Sequence, residues 1–583
     1  MKNQKSEMEV SEHRIQKTEY RMVNVVLCLL FSISFLLSTA EARQQYRRLP
    51  VKEYVDKMKG GWIGQMAGVG WGGPTEFHWK GEIIPEDKMP KWRPEMINQF
   101  HQDDIYVEMT FLHTLEQYGF DCSIRQAGID FANSGYPLWH ANNAGRTNLR
   151  NGIAPPDSGH PKFNSHADDI DYQIEADYAG LIAPGLPNVA IQLGEKFGRL
   201  MNYGDGLYGG QFVGGMYAEA FFTDDMEEIV RAGLECIPAK SQYAECIRDV
   251  LAWYKQEPDD WQKTWELIEA KYQDNPAYRR FSCNKDQENM DFNIDAKING
   301  AYIVMGLLYG KGDPDQTIII STRCGQDSDC NPSNSGGVLF TTIGFKSLPE
   351  KFTSALNPEG KFSHTPYNFP MLVEVSKKLV RQSVVRAGGR VETDAEGREV
   401  FVIPIREPKP GKLEQCWEPG PIANSKFTEA EIAKITAIAG EDISEDVSKF
   451  APGWKVTSCG PEMDPGLHEQ AMGKSNVLVT HPLDRRTGCQ LSRELKLPAD
   501  KETVLRLTVG HHPEGDWALI VAVNGKQMVR KVVGKETAPD GWMETKVDLS
   551  EFAGEKVKLE LINHPTGWAF EAGYWAEIAL VSL

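Results

Sequence analysis

The hydrophobic rhythm of this chain changes once, near residue 386, and that change limits the folds open to it. From Val51 to about Phe352 apolar residues recur at helical spacing between loops of Gly, Pro, Asn and Asp. Ser241–Tyr254 and Trp261–Tyr272 are two such segments, apolar at helical spacing and surrounded by charge. Asp313-Pro314 predicts a helix start, with Asp as cap and Pro in the first turn, ahead of the apolar run Thr317–Ile320. Val51–Ala67 places Gly60, Gly64 and then Gly68 four residues apart, so one helix face is lined with glycine and admits a close neighbour. A last helix is expected near Met371–Val385.

Beyond that helix the pattern alternates. Gly388–Ile405 reads as a hairpin around Asp-Ala-Glu-Gly, and Glu407–Pro421 has the Pro and Gly content of a linker. Short segments follow at Val504–Val509, Trp517–Val523, Met528–Val533, Met543–Val547, Val557–Ile562 and Tyr574–Ser582, with Asn524-Gly525 as a hairpin turn. Evenly spaced short strands predict a β-sandwich. Val547–Val557 is similar in composition to the strand connection of jelly-roll carbohydrate-binding modules. Trp517, Trp568 and Trp575 are open to two uses, stacking on sugar rings or filling the core.

A single core stops growing near ~250–300 residues, so 583 residues imply several domains. The expected division is a signal segment with an extended n-region at 1–42, an all-α domain at 43–385, the hairpin and linker at 386–425, and the sandwich at 426–583. Val23–Leu37 is an apolar run preceded by Arg21 and followed by Ala40-Glu41-Ala42, the pattern of a cleaved signal. The run is shorter than the ~20 residues that cross a bilayer, which favours export over a retained anchor. A periplasmic or secreted protein without a membrane span after cleavage is expected, with Met22 as an alternative start. A net charge of -19 and the lack of any Lys/Arg-rich run exclude a nucleic-acid partner. Nine cysteines follow the signal segment, none at zinc-site spacing, which predicts buried thiols with or without one or two disulfides.

Chemistry concentrates in two acidic segments. Gln102-Asp103-Asp104 precedes an apolar-periodic stretch through Met109, Phe111, Leu112 and Leu115, which places both aspartates at a helix N-terminus. Asp327-Ser328-Asp329 likewise precedes Pro332 and the buried helix that follows it. Either pair alone is an ordinary helix start. Four carboxylates at converging helix starts repel one another unless cations sit among them, and that many hard oxygens suit Mg²⁺ or Mn²⁺, one ion or two.

With these flanks the chain resembles the ADP-ribosylglycohydrolase family, over roughly Val51–Phe352. The family's all-helical fold holds two Mg²⁺ or Mn²⁺ ions between an early Thr-Asp-Asp segment and a late Gly-Asp-Thr-Asp-Thr-Asn segment. Gly72-Gly73-Pro74-Thr75-Glu76-Phe77 is similar to its Gly-x-Pro-x-Glu loop, which implies that Glu76 gates the metal or acts as the catalytic carboxylate. The resemblance carries Asp103, Asp104, Asp327 and Asp329 over as metal ligands. It departs at two positions: Gln102 and Cys330 stand where the family has threonine ligands. An amide oxygen can still bind a cation, whereas a thiol is a poor ligand for Mg²⁺.

The fold class expected is therefore multidomain, an all-α ADP-ribosylglycohydrolase-like domain followed by an all-β, jelly-roll-like sandwich. The resemblance implies a metal-dependent hydrolase in which Glu76 or Asp327 takes a proton from water. Where the family presents a Met-Arg pair to its nucleotide, this chain has the acidic, aromatic segment Asn164–Glu175. Nothing in that segment neutralises a pyrophosphate, so with export and a sandwich module the substrate expected is a glycan or nucleoside-like sugar. His166 and Asp171 are candidates for sugar hydroxyls, beside the alternative of a capped helix start. Asp205 and Tyr208, in Gly204–Gly210, form a second candidate substrate loop. Hydrolysis of ADP-ribosylated substrates, a metal-free pair of carboxylates and a non-catalytic sugar-binding protein are the rival readings.

Overall fold

Glycine at every fourth position of the helix Val51–Gly72 lets it lie backbone to backbone against a second helix, Cys330–Ile343. A methyl group at Gly64 would stand 2.3 Å from the Gly336 carbonyl oxygen, and one at Gly68 2.2 Å from that of Pro332. Gly60 and Gly72 extend the row to Phe340 and Ser328. Four glycines thus fix the distance between two helices far apart in sequence. Gly337 joins from the other side, where the Tyr217 ring closes over the crossing.

The computed structural model describes residues 44–284, 291–435, 443–483, 487–567 and 569–582. The signal expected at 1–42 lies outside the described residues. Around the helix pair stands an all-α domain. Its helices include Asp103–Tyr118, His140–Arg150, Asp205–Ala220, Ala296–Tyr309 and Phe369–Arg386. Several begin as their sequences predict. Asp313 caps Pro314–Arg323 by accepting from the Gln316 N–H at 2.8 Å, and Ser241 caps Gln242–Gln256 by accepting from Ala244 at 3.0 Å. Ala296–Tyr309 is buried along its whole length and forms the centre of the domain. Among the described residues no helix is long and apolar enough to cross a membrane.

A small antiparallel sheet closes this domain. Strand β1 (Tyr46–Pro50) pairs with β3 (Glu399–Pro404), which pairs with β2 (Arg390–Thr393). The Pro- and Gly-rich segment after β3 is held along the helices. The Tyr208 hydroxyl donates to Lys412 O at 3.0 Å and accepts from Glu414 N at 2.7 Å. Asp157 accepts from Ala423 N and Ser425 N at 2.8 Å each, and Arg125 clamps Glu431 and Lys426 O.

The C-terminal domain is a sandwich of two five-stranded antiparallel sheets. One has the order β10 (Lys526–Val533), β9 (Trp517–Val523), β12 (Lys556–His564), β7 (Cys489–Lys496), β4 (Lys455–Thr457). The other runs β11 (Trp542–Asp548), β8 (Thr503–His511), β13 (Gly573–Ser582), β6 (Lys474–Thr480), β5 (Gly466–Ala471). Asn524 and Gly525 have φ of 50° and 78°, as a two-residue hairpin turn requires. Trp517 and Trp575 fill the core: both are fully buried, their rings 5.3 Å apart, their indole N–H groups donating to Gly510 O and Thr480 Oγ1. Trp568 lies outside the described residues. The nine described cysteines are buried and unbridged.

Because the helix crossing has no room for a side chain, Gly68→Ala is expected to cost about 3 kcal/mol or more, as overpacking does. That corresponds to a fall of several degrees in the thermal midpoint, measured by calorimetry. Gly135→Ala, at an exposed position outside the left-handed region with nothing within 4 Å of the added methyl, is the control and should leave the midpoint unchanged.

Candidate active site

The glycine crossing ends at Gly72, where the Glu76 loop and both acidic segments meet. Gln102 caps Asp103–Tyr118, its amide oxygen accepting from Asp103 N at 2.9 Å, so Asp103 and Asp104 occupy the first turn. Asp329 stands just before Cys330–Ile343, with Asp327 two residues ahead of it. Between the loops runs a set of bonds centred on Gln326, which has the left-handed φ of 55°. Its N–H donates to Trp79 O at 2.9 Å and its carbonyl accepts from Phe77 N at 3.0 Å. Its side-chain amide donates to Asp291 O and accepts from Asn293 N. Thr75 donates to Gly72 O at 2.7 Å and accepts from Ser328 Oγ at 2.8 Å. Glu76 is thereby pinned beside Asp327.

Two adjoining groups of ligand atoms result, sharing Asp329. Glu76, Asp327 and Asp329 offer oxygens within 4.8 Å of one another, as do Asp104, Asp329 and Cys330. Asp104, Asp327 and Asp329 are buried, while Glu76 lies at the mouth. Burial raises all three aspartates well above the carboxylate range, and each is raised further by another of these acids. Loss of water, then Asp329 and Asp103, push Glu76 up to about 9. The largest charge effects on Asp104, Asp327 and Asp329 come from other acids. Oδ1 of Asp104 and Oδ1 of Asp327 are buried and accept no hydrogen bond. Buried carboxylate oxygens are seldom left so, and a divalent cation is one partner that would satisfy them. The donor set fits such an ion.

The two departures from the threonine pattern have definite places. Gln102 turns its amide nitrogen to Asp329 Oδ2 at 2.8 Å while its oxygen serves as the helix cap, so it meets the acids as a donor. The Cys330 thiol lies 3.1 Å from Asp104 Oδ2 and 3.7 Å from Asp329 Oδ1. Burial and the surrounding carboxylates raise it well above the thiol range, so it stays protonated and donates. Beneath Asp104, Gln65 donates to Glu108 at 2.6 Å, and Asn334 donates to Asp177 at 2.9 Å.

Two sets of aromatic rings begin within three residues of the acids, at Tyr106 and at Phe77. Tyr106 stacks near Tyr136 at 4.8 Å, with His101 and His364 about the same pair. A second row runs from Phe77 to Phe292 at 5.3 Å and on to His140 and His166. Lys80 sits 5.6 Å over Phe292.

The remaining expected site residues separate. His166 belongs to the aromatic row and bonds Asp169 at 2.7 Å. Asp171 is buried and accepts from Asn142 N at 2.8 Å and Ala141 N at 3.2 Å, so it caps the helix His140–Arg150 rather than its own. Burial and Asp169 push it up to about 8. Asp205 is buried at the start of Asp205–Ala220, 4.0 Å from Lys297, and Tyr208 holds the Pro/Gly-rich segment. Sequence reasoning missed His140, Asp169, Ser282 and the Gln65–Glu108 layer. The His166/Asp169 spacing of three in a turn was a visible signal, and the others come from distant segments.

The model of the family described as ADP-ribosylglycohydrolase matches residues 50–383, more than half of the chain. No curated protein matches it. A solved chain described as part of an ADP-ribosylglycohydrolase-related protein complex is similar at 15% identity and a TM-score of 0.35, over 57% of this chain and 99% of that one. The CBM22-1 xylan-binding domain from Paenibacillus barcinonensis Xyn10C is similar at 16% identity and a TM-score of 0.18, over 23% of this chain and 86% of that one. With its acidic segments joined at the end of a glycine-packed helix pair and its helical domain matched throughout, the chain belongs to the ADP-ribosylglycohydrolase family.

Proposed function

We propose that this chain is an exported glycoside hydrolase that uses Mg²⁺ or Mn²⁺ to cleave an N- or O-glycosidic bond of a glycan or nucleoside-like sugar. The observation that carries the reading is the convergence of Glu76, Asp104, Asp327 and Asp329, with two buried carboxylate oxygens left without donors. Bound there, a divalent cation orients sugar hydroxyls and acidifies water. Asp104, Asp327 and Asp329 hold that charge, which also favours the ionised form of Glu76, so that Glu76, at the mouth, takes the proton from the attacking water. The water oxygen bonds to the anomeric carbon, the glycosidic bond breaks, and the leaving group is protonated by solvent. Carboxylates nearby stabilise the positive charge that develops on the sugar. Phe77 and Phe292, half-buried beside the Glu76 loop, supply faces for a sugar ring or its aglycone.

Family membership favours a second reading, hydrolysis of ADP-ribosylated substrates, in which Lys80 beside Phe292 would meet phosphate. One panel separates them: nucleosides, an ADP-ribosylated peptide, and aryl furanosides and pyranosides, each with and without Mn²⁺. Turnover of glycosides but not of the peptide supports the first reading, and the reverse pattern the second. Asp327→Ala should lower kcat/KM on the order of a thousandfold or more. Full activity in that variant, or activity untouched by EDTA, would move the chemistry elsewhere.

The crowded acids also set a pH dependence. A carboxyl whose folded value is raised binds its proton more tightly folded than unfolded, so stability falls as pH rises through the gap. For Glu76 that gap runs from 4.5 to about 9, and the buried aspartates are shifted the same way. In EDTA the thermal midpoint should therefore fall between pH 5 and pH 8, on the order of several degrees. Mn²⁺ should restore more of it at pH 8 than at pH 5. A midpoint that rises with pH in EDTA would contradict the uncompensated acidic centre.

A further inference from the structure

We infer that His140, His166 and Asp169 form a second metal site, which takes a borderline divalent cation of the zinc, cobalt or nickel class. Nδ1 of His166 lies 2.7 Å and Nδ1 of His140 3.6 Å from the same oxygen, Asp169 Oδ2, and the three ligand atoms all fall within 4.8 Å of one another. Ligand atoms sharing one ion at ~2.0–2.2 Å stand roughly 3 to 3.6 Å apart, so this triad needs only a small adjustment to close on a cation. Its chemistry differs from that of the acidic centre. Two imidazoles and one carboxylate suit zinc, cobalt or nickel, whereas Mg²⁺ and Ca²⁺ prefer oxygen alone.

The carboxylate is built to stay in place. Asp169 is wholly buried, and its other oxygen, Oδ1, receives the Ser282 hydroxyl. The same hydroxyl lies 2.6 Å from Asp168 Oδ1. The backbone is fixed as well. Asn202 donates to the carbonyls of Ala167 and Asp169, Ala296 N donates to Asp168 O, and His166 N donates to Asn164 Oδ1. Partners behind a ligand set its orientation and raise metal affinity.

The imidazoles arrive from two separate segments. His140 opens the helix His140–Arg150, with Phe292 stacked on its ring at 5.8 Å and 24°, and His166 follows the turn after Asn164. Their side chains are 29% and 32% exposed. Through Phe292 and Phe77 the triad adjoins the loop that carries Glu76.

The full chain, free of any affinity tag, is titrated with Co²⁺ in excess Mg²⁺, following visible absorption and calorimetry. One equivalent of Co²⁺ should bind with a ligand-field band. His140→Gln and His166→Gln, both at half-exposed positions, should each weaken it by ~10–100-fold or abolish it. Asp104→Asn, in the acidic centre, should leave the band intact. Circular dichroism confirms that each variant is folded, and either histidine variant alone suffices for the comparison. The site is overturned if no saturable Co²⁺ binding occurs, if both histidine variants bind within twofold of the parent, or if Asp104→Asn removes the band while they do not.

Discussion

Everything in the helical domain that bears on chemistry depends on one contact, the approach of Val51–Gly72 to Cys330–Ile343 through glycine. The two segments are separated by most of the domain in sequence, yet at Gly64 and Gly68 the neighbouring carbonyls leave no room even for a methyl group. Contact at that distance fixes both the axial position and the rotation of each helix. The C-terminal end of the first helix then delivers Glu76, and the N-terminal end of the second delivers Asp327 and Asp329. Position, rather than any single side chain, is what the glycine row supplies, and positioning is a large part of catalysis.

The acids then impose a cost that the rest of the domain bears. Buried carboxylates crowded together destabilise one another, and packing on the scale of this domain's core offsets that. Gln102 and Cys330 lessen it without adding charge. Both act as neutral donors, the amide nitrogen to Asp329 and the thiol to Asp104. Threonine hydroxyls at those two positions would be oxygen ligands. Here the substitutions leave the carboxylates as the strong anionic donors and place hydrogen-bond donors behind them.

How far the sequence could be read follows from how local each signal is. The helical domain, its glycine stripe, the Asp313 cap and the Asn524-Gly525 turn are written in neighbouring residues, and each stands where its pattern predicts. Strands β5 to β7 are harder to see. They turn at Met472-Gly473 without an Asn-Gly or Asp-Gly pair, and in β7 charged residues interrupt the alternation of Cys489, Leu491 and Leu495. Of the acids, Asp104, Asp327 and Asp329 were legible because each acidic pair sits at or just ahead of a helix start, while Asp103, read with them, falls in neither ligand group. The direction of the Gln102 amide was not legible, since it depends on Asp329 from the far end of the domain. Asp171 shows the same limit: a carboxylate ahead of a helix reads as a cap for that helix, but it caps His140–Arg150 instead.

The two donor sets of this domain differ in a way that the fold itself explains. The acidic centre lies at two helix N-termini, where backbone N–H groups favour carboxylates and where first-turn aspartates come at no loss of helix stability. The His140–His166–Asp169 group is carried instead by a loop tied to Ala296 and Asn202, with one histidine borrowed from a helix start. A loop held by so many backbone bonds can present imidazoles at fixed separation, which a helix terminus does less well. The Phe77–Phe292–His140 row joins the two sets, so a molecule lying along those rings would reach hard oxygen donors at one end and nitrogen donors at the other.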